Sequence, residues 1–180
     1  MAGSAAHDIE PLFSAERIAE RVDQLAQEIA ASRLKDPIIV AVLKGSFIFA
    51  ADLIRAFHRQ GLKPEIDFIF LASYGAGTLS SGEVEILREV ETKLEGRDVV
   101  IVDDILDSGR TLAFAKAFLE ARQARSVRTC VLLDKQVPRA AAITPDFTGF
   151  RCPAVFVVGY GMDLAHRYRE LPFIGRVASK

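Results

Sequence analysis

The sequence predicts an α/β fold with a mostly parallel, twisted β-sheet flanked by helices. Short runs of β-branched and other aliphatic residues recur along the 180-residue chain, as in strands that are buried on both faces. Longer segments with apolar residues at helical spacing separate these runs, and this alternation favours parallel strand pairing. Charged residues follow several of the runs, at the strand ends where sheets of this class bind ligands.

The first half of the chain alternates as this fold class requires. An amphipathic helix is predicted over 14–32, where apolar residues recur every three or four positions and Ser14 is the expected N-cap. A buried strand over 38–43 and a helix over about 47–59 follow, and the next strand is predicted over 66–72. The last three of these segments make up one strand–helix–strand unit of the sheet.

The second half continues the alternation with shorter strands. Residues 73–82 are rich in Gly, Ser and Thr and predict a flexible loop. A helix is predicted to begin at Thr111, after a strand at 99–102. The other strands are predicted at 84–90, 127–133 and 155–158.

Composition and charge exclude several classes of protein. Hydrophobic residues make up 50% of the chain, enough for a sizeable core, and a net charge of −1 without a charged tail predicts no nucleic-acid partner. No apolar run reaches membrane-spanning length and no secretory pattern is present, so we expect a cytoplasmic protein that does not associate with membranes. The two cysteines, Cys130 and Cys152, are expected to be buried, reduced thiols.

The most informative segment spans 99–112 and reads VVIVDDILDSGRTL. Two adjacent carboxylates, Asp103 and Asp104, stand where the predicted strand ends. Neighbouring acids repel each other and resist desolvation, so the pair makes sense if ribose hydroxyls or Mg²⁺ share their space. A simpler interpretation is that Asp104 or Asp107 caps the next helix while Asp103 is solvated.

The loop that follows has the composition of a phosphate site. Gly109 lets the backbone approach a ligand closely, and the N-terminus of the next helix presents free N–H groups and a partial positive charge. Ser108 and Thr111 add hydroxyl groups, and Arg110 adds a positive charge. Together these residues predict a site for a phosphorylated sugar and a divalent cation.

This segment resembles the loop that binds phosphoribosyl pyrophosphate (PRPP) in the type I phosphoribosyltransferases. Four further segments are similar to the 6-oxopurine branch of that family, the hypoxanthine-guanine phosphoribosyltransferases: VLKGSFIFAADL, SYGAGTLSSGEVEI, VLLDKQVPR and FVVGYGMDLAHRYRELPFIG. The resemblance leaves only about the first ten residues outside it. It implies one domain over 1–180, with a core at about 35–160, a small hood from the N-terminal helix region and the C-terminal segment, and a mobile lid at about 73–82.

The resemblance implies a purine-salvage enzyme. Such an enzyme transfers the 5-phosphoribosyl group of PRPP to N9 of hypoxanthine or guanine, with Mg²⁺, to give IMP or GMP and pyrophosphate. A homodimer or homotetramer is also implied. The order of preference among hypoxanthine, guanine and xanthine stays open, because contacts near C2 of the base are largely made by the backbone.

The resemblance also assigns roles at the sugar-phosphate end of the site. It implies that the loop at 108–111 holds the 5-phosphate, while Asp103 and Asp104 hold the ribose hydroxyls and help to place the metal. Lys44, Gly45 and Arg169 are implied to bind pyrophosphate, and Asp163 to be a Mg²⁺ ligand.

At the purine end, the resemblance implies that Lys135 contacts the oxygen on C6, that Phe156 stacks on the ring and that the Val157 backbone contacts the base. Taken singly, Lys135 is typical of a surface lysine and Phe156 of a core residue. Asp107 is the implied catalytic residue, placed to take or stabilise the proton on N7 as N9 attacks the sugar. Ser73 and Tyr74 match the family's lid pair.

Two other classes of protein share parts of this pattern. A regulatory RNA-binding attenuator related to the uracil phosphoribosyltransferases shares the acidic loop but needs a basic face, which a net charge of −1 does not favour. A phosphorelay receiver domain also gathers acids and Mg²⁺ at strand ends. Its acid pair should follow the first strand, where this chain has Lys44.

Overall fold

Strands and helices alternate along most of the chain. The computed structural model describes residues 8–73 and 84–178. The elements within these ranges are β1 (Ile9–Phe13), α1 (Ala15–Ala31), β2 (Ile38–Leu43), α2 (Phe47–Arg59), β3 (Glu65–Ser73), β4 (Val84–Arg88), β5 (Asp98–Leu106), α3 (Arg110–Glu120), β6 (Ser126–Lys135), β7 (Phe147–Cys152), β8 (Val157–Val158) and β9 (Ile174–Val177).

The main sheet confirms the predicted fold class. Its strand order is β4-β3-β2-β5-β6-β7, and every neighbouring pair is parallel except β3 with β4. Helices α1 and α2 contribute to the apolar cluster on one face, and α3 contributes to the cluster on the other. The central strands β2 and β5 are apolar along most of their length because both of their faces are covered.

Helix α1 forms as its sequence pattern predicts. The apolar residues at helical spacing are buried, and Ser14 is the N-cap, with its Oγ accepting a 3.3 Å hydrogen bond from the Arg17 backbone N–H. From this helix, Arg21 reaches the outer strand β7 and donates to the backbone oxygens of Gly149 at 2.9 Å and Thr148 at 2.7 Å. The helix thereby covers part of the free edge of the main sheet.

A second, three-stranded sheet has the order β1-β9-β8 and is antiparallel. Strands β1 and β9 were not predicted, because each is short and β1 carries Glu10 and Pro11 instead of an apolar run. This small sheet meets the main one where the rings of Phe13 and Phe150 stack, with centroids 4.4 Å apart. It brings the C-terminal part of the chain over the same end of the main sheet as the N-terminus of α2.

The predicted end of the central strand β5 was wrong. Strand β5 continues to Leu106, so Asp103 and Asp104 lie within the strand and not after it. Pairing with the longer neighbour β6 carries β5 through these residues, from Asp103 opposite Val131 to Leu106 opposite Asp134, although aspartate is a poor strand former. Strand β7 was also not predicted, and β8 is shorter than the segment predicted at 155–158.

The structure shows which residue caps helix α3 at its N-terminus. Its N-cap is Gly109, with φ of +81°, so neither Asp104 nor Asp107 caps α3. Glycine suits this position because a positive φ is unfavourable for residues with a side chain.

Both cysteines are free and buried, as predicted. Across the described ranges, no helix is long and apolar enough to span a membrane.

Candidate active site

A cavity of about 670 Å³ opens at the carboxyl ends of β2, β3, β5 and β6. It gathers most of the predicted site residues, which come from widely separated parts of the chain: Lys44, Gly45, Asp104, Asp107, Lys135, Phe156, Val157, Asp163 and Arg169. Other lining residues were not singled out from the sequence: Phe70, Leu71, Ala72, Ile105, Met162 and His166. The position agrees with the general rule that open α/β sheets bind ligands at this edge.

Within β5, Asp104 lines the cavity whereas Asp103 is 6% exposed and lies beneath it. The Asp104 backbone N–H donates a 3.0 Å bond to Oδ1 of Asp103. Burial raises the pKa of Asp103 well above its ordinary value, and the adjacent Asp104 carboxylate raises it further. Burial also raises the pKa of Asp104. The pair is therefore an acidic centre that binding of cations or hydroxyl donors would stabilise.

The loop after β2 touches this acidic centre directly. A side chain at Gly45 would collide with the Asp104 carboxylate, and one at Gly161 would collide with the Gly45 carbonyl. Only residues without a Cβ allow the three segments to meet this closely. The Leu43–Lys44 peptide bond is cis, and the Lys44 Nζ lies over the Phe70 ring, 5.4 Å from its centroid.

At the opposite side of the cavity, Lys135 and Asp107 form an ion pair. The Lys135 Nζ donates to Oδ2 of Asp107 at 2.8 Å. The lysine side chain is only 15% exposed, so it is not a surface lysine, whereas Asp107 is 52% exposed. A cation and a carboxylate thus stand side by side at the cavity wall, where they can contact neighbouring atoms of one planar ligand.

Phe156 and Val157 complete this wall. Phe156 is 53% exposed, so it is not a core residue, and its ring is available to stack on an aromatic ligand. Val157 begins β8 and is buried, which fixes its backbone at the cavity. The combination of a half-exposed ring, a cation and a carboxylate suits a flat heterocycle with polar edges.

The segment after β8 supplies a second charged pair. The Nη2 of Arg169 lies 2.6 Å from Oδ1 of Asp163, and the Nη1 of the same arginine donates to the Gly161 carbonyl. The His166 backbone N–H donates to the other Asp163 oxygen at 2.7 Å. The arginine also lies near enough to Asp104 to lower the pKa of that carboxyl, against the larger effect of burial. Arg169 therefore links the acidic centre to the Asp163 side of the cavity.

The turn that leads into this segment is anchored from behind. Gly159, Tyr160 and Gly161 all have positive φ, at 97°, 51° and 100°. The Tyr160 side chain points away from the cavity and its hydroxyl donates to Asp52 of α2 at 2.6 Å. Burial raises the pKa of Tyr160, and the Asp52 carboxylate raises it further, so the phenol stays protonated as the donor.

The predicted phosphate loop lies beside the cavity at the N-terminus of α3. Gly109 is buried, while Ser108 and Arg110 are exposed and Thr111 is partly buried. The Arg110 backbone N–H is 3.4 Å from the Ser108 hydroxyl. The first turn of α3 presents its N–H groups at this point, so the loop can bind an anion.

The acids of the site can contribute to a magnesium centre without forming a complete one. Within 8–73 and 84–178, no group of three or more His, Cys, Asp or Glu side chains converges on one point. Asp104 and Asp163 nevertheless line the same cavity. Because Mg²⁺ is usually held by one or two carboxylates together with water and substrate phosphates, this donor set fits that cation.

The predicted lid falls largely outside the described ranges. Ser73 is the last residue of β3, and Tyr74 with the remainder of the predicted lid lies in the part of the chain that the structure does not describe.

Some residues that line the cavity were not predicted from the sequence. Among them, Phe70 and Met162 occupy apolar runs that are typical of strand or turn cores. His166 stands alone in a charged segment, where no spacing pattern marks it.

Comparisons with known proteins relate the chain to one enzyme family. Residues 8–164 match the family model described as phosphoribosyl transferase domain. The chain is 46% identical over 172 residues to the hypoxanthine-guanine phosphoribosyltransferase of Bacillus subtilis, a match that covers 94% of this chain and 93% of that protein. It is 39% identical over 170 residues to the hypoxanthine-guanine phosphoribosyltransferase of Dictyostelium discoideum, covering 93% and 94%. A crystal structure of the Staphylococcus aureus hypoxanthine phosphoribosyltransferase superposes with a TM-score of 0.87 at 36% identity, covering 94% of this chain and 91% of that one.

Proposed function

This chain belongs to the phosphoribosyltransferase family, within its hypoxanthine-guanine branch, and on that premise we propose how its residues divide the reaction between them. The enzyme transfers the 5-phosphoribosyl group of PRPP to N9 of hypoxanthine or guanine and releases pyrophosphate with IMP or GMP, a purine-salvage reaction. The observation that carries this function is similarity to purine enzymes over nearly the full length of the chain. An RNA-binding regulator of the same fold is not favoured.

Lys135 and Phe156 bind the purine base. The Lys135 ammonium donates to the oxygen on C6, a position where adenine carries an amino group that is itself a donor. Phe156 stacks on the ring, and the backbone of Val157 contacts its edge. The ion pair between Lys135 and Asp107 supports this assignment, because it puts a donor and an acceptor at the spacing of neighbouring purine atoms.

Asp107 is the catalytic residue. Its carboxylate is half exposed at the cavity and faces the base beside Lys135, so it accepts a hydrogen bond from N7 or takes its proton as N9 attacks the sugar. Lys135 holds this carboxylate in place through the 2.8 Å contact between its Nζ and Oδ2 of Asp107. The reacting sugar develops positive charge, and the nearby acids of β5 stabilise that charge.

The sugar and its 5-phosphate bind across the end of β5. The N–H groups at 108–111 hold the phosphate, with the Ser108 and Thr111 hydroxyls and the Arg110 charge as further donors. Asp103 and Asp104 accept hydrogen bonds from the ribose hydroxyls. Their raised pKa values support this role, since hydroxyl donors and cations relieve the repulsion between two buried acids.

Lys44, the Gly45 backbone and Arg169 bind the pyrophosphate group. Asp163 and Asp104 are the carboxylates that would hold Mg²⁺, together with substrate oxygens. When bound, the metal neutralises negative charge on the leaving pyrophosphate. Arg169 pairs with Asp163 at 2.6 Å and places a fixed positive charge at the same point. Ser73 and Tyr74 belong to the lid that we propose excludes water from the reacting sugar.

We further propose that the enzyme is a cytoplasmic homodimer or homotetramer. Two free thiols suit a reducing compartment. Large apolar side chains outside the cavity, Phe68 and Leu87, are 42% and 49% exposed, and a subunit interface would cover them. Light scattering coupled to gel filtration measures the oligomer directly, and a monomer would contradict this part of the proposal.

The function is tested by a spectrophotometric assay with PRPP and Mg²⁺ and each of hypoxanthine, guanine, xanthine and adenine. We expect turnover of hypoxanthine or guanine, loss of turnover on chelation of the metal, and no turnover of adenine. The same assay ranks the three 6-oxopurines. Intact PRPP binding without conversion of any base would instead point to a regulatory protein that kept the fold, and an RNA gel shift would then be decisive.

A further inference from the structure

Behind the phosphate loop lies a connecting segment, residues 136–146, that no part of the proposed reaction uses. It joins β6 to β7 and contains Arg139, whose side chain is 22% exposed although it carries a charge. Within the described residues, the Nε of Arg139 is the buried side-chain nitrogen or oxygen that lacks a hydrogen-bond partner. Burying a guanidinium with one N–H unsatisfied costs free energy, so this placement calls for a compensating role.

The rest of the guanidinium ties the two ends of the segment together. Its Nη2 pairs with the carboxylate of Asp134 at the end of β6, and its Nη1 donates to the Ile143 carbonyl at 2.7 Å. Asp134 is opposite Leu106, the last residue of β5 before the phosphate loop. The planar guanidinium of Arg139 holds its two acceptors, the Asp134 carboxylate and the Ile143 carbonyl, in a fixed geometry. The ammonium of a lysine is a point charge and could not do this.

The segment that Arg139 folds is in direct contact with the phosphate loop. The backbone N–H groups of Ala140 and Ala141 both donate to the Ser108 carbonyl, at 2.9 and 3.2 Å. A Cβ at Gly109 would lie 2.9 Å from the Ala141 oxygen and 3.0 Å from Cγ2 of Ile143. The back of the loop is thus fixed by the segment 140–143, which leaves the N–H groups of the first turn of α3 facing the site.

From these contacts we infer that Arg139 is a positioning residue for the 5-phosphate of PRPP. It is not among the residues that line the cavity. It acts through Ala140 and Ala141, which fix Ser108 and Gly109 in the conformation that presents the anion-binding N–H groups. The inference rests on the proposed function, because it assigns the loop at 108–111 to the sugar phosphate.

The test measures the affinity of the Arg139→Gln variant for two different ligands. PRPP with Mg²⁺ occupies both the phosphate loop and the pyrophosphate region, whereas inorganic pyrophosphate with Mg²⁺ occupies only the latter. By calorimetric titration we expect the variant to bind PRPP about tenfold more weakly and pyrophosphate with nearly unchanged affinity. In the assay, KM for PRPP should rise with little change in KM for the base. Arg59→Gln, which removes a half-exposed arginine paired with Asp23, is the matched control and should change neither affinity.

Arg139→Lys keeps the inference testable if the glutamine variant fails to fold. Lysine preserves the charge beside Asp134 but not the fork, so we expect a smaller loss confined to PRPP. Unchanged PRPP affinity in a folded variant, or equal losses for PRPP and pyrophosphate, would overturn the inference. A wild-type protein that binds PRPP but converts no purine would instead overturn the proposed function, while the comparison of the two ligands still decides the role of Arg139.

Discussion

The Tyr160 hydroxyl donates to Oδ2 of Asp52 at 2.6 Å, and this bond ties helix α2 to the turn that precedes Asp163 and Arg169. The turn needs an anchor because three successive residues in it have positive φ, including Tyr160 itself at 51°. Its backbone is also held from the other side, where Arg169 contacts the Gly161 carbonyl. The side of the cavity proposed to bind pyrophosphate therefore depends on a buried phenol that does not enter the cavity.

Tyr160→Phe should weaken pyrophosphate and PRPP binding together. The change removes one hydrogen bond and leaves Asp52 with its partner Arg55, so we expect a loss of about 1 kcal/mol in the free energy of unfolding. The KM for PRPP should rise several-fold with little change in the KM for the base. Urea denaturation and steady-state kinetics measure the two effects. A variant with lowered stability and unchanged kinetics would show that the anchor is purely structural.

Gly45→Ala should be far more damaging to activity than to folding. The new methyl group would push against the Asp104 carboxylate, and both the loop and the acidic centre would have to shift. A displacement of about 1 Å at a reacting centre typically costs about a hundredfold in rate, and we expect a loss of that order in kcat/KM. Gly61→Ala is the control. Gly61, unlike Gly45, has a positive φ of 72°, and no atom lies within 4 Å of where its Cβ would be, so Gly61→Ala should lose stability and keep activity.

Asp107→Asn should separate chemistry from binding. The amide keeps the size of the side chain but cannot take a proton, so we expect turnover to fall by about a hundredfold or more. PRPP affinity should change little, because Asp107 lies beside Lys135 on the side of the cavity proposed to bind the purine. Single-turnover kinetics and PRPP titration measure the two quantities. Asp36→Asn, at an exposed residue near the opposite ends of the strands, is the control, and equal turnover in the two variants would remove Asp107 from the chemistry.

Acid should destabilise the fold partly through Asp98. Burial by itself would raise the pKa of this carboxyl, but donation from Ser126, the Lys35 backbone and Arg125 lowers it below its ordinary value. A depressed folded-state pKa contributes stability above the unfolded pKa of about 4, and this contribution is lost as the pH falls towards the folded value.

Asp98→Asn should therefore lower the free energy of unfolding by about 2 kcal/mol at pH 7. The difference from wild type should shrink as the pH falls below about 4. Urea denaturation at neutral and acidic pH measures it. Glu20→Gln, at an exposed position on α1, should show no such trend. A difference that stays constant across the acidic range would mean that the charge of Asp98 is not what stabilises the fold.

Much of the fold could be predicted from the sequence because local pattern and burial agree along the central strands and the helices. Residues 47–59 form the predicted helix, and β2 has the predicted bounds. The predictions failed where tertiary pairing overrides local preference. Asp103 and Asp104 continue β5 because β6 pairs beside them, and β1 forms although it contains Glu10 and Pro11 because β9 supplies its partner.

At the candidate site, too, local sequence patterns predicted some residues, whereas others depend on contacts that form only in the folded chain. Charged residues after apolar runs, such as Lys135 and Asp163, could be placed because strand ends meet at one edge of a parallel sheet. Residues that act from outside the cavity could not. Nothing local marks Arg139 or Tyr160, since their importance depends on a carbonyl, a carboxylate and a turn that only the folded chain brings together.

The contact between Arg21 and β7 bears on whether other chains can add to the edge of the main sheet. A parallel sheet that ends in an uncovered strand offers a row of carbonyl and amide groups to any other extended chain, and such edges nucleate aggregation. Here two of those carbonyls, on Thr148 and Gly149, are already taken by a guanidinium from the molecule's own helix. An incoming strand would have to displace a charged group before it could add to the sheet, so the arginine protects the folded chain against polymerising through that edge.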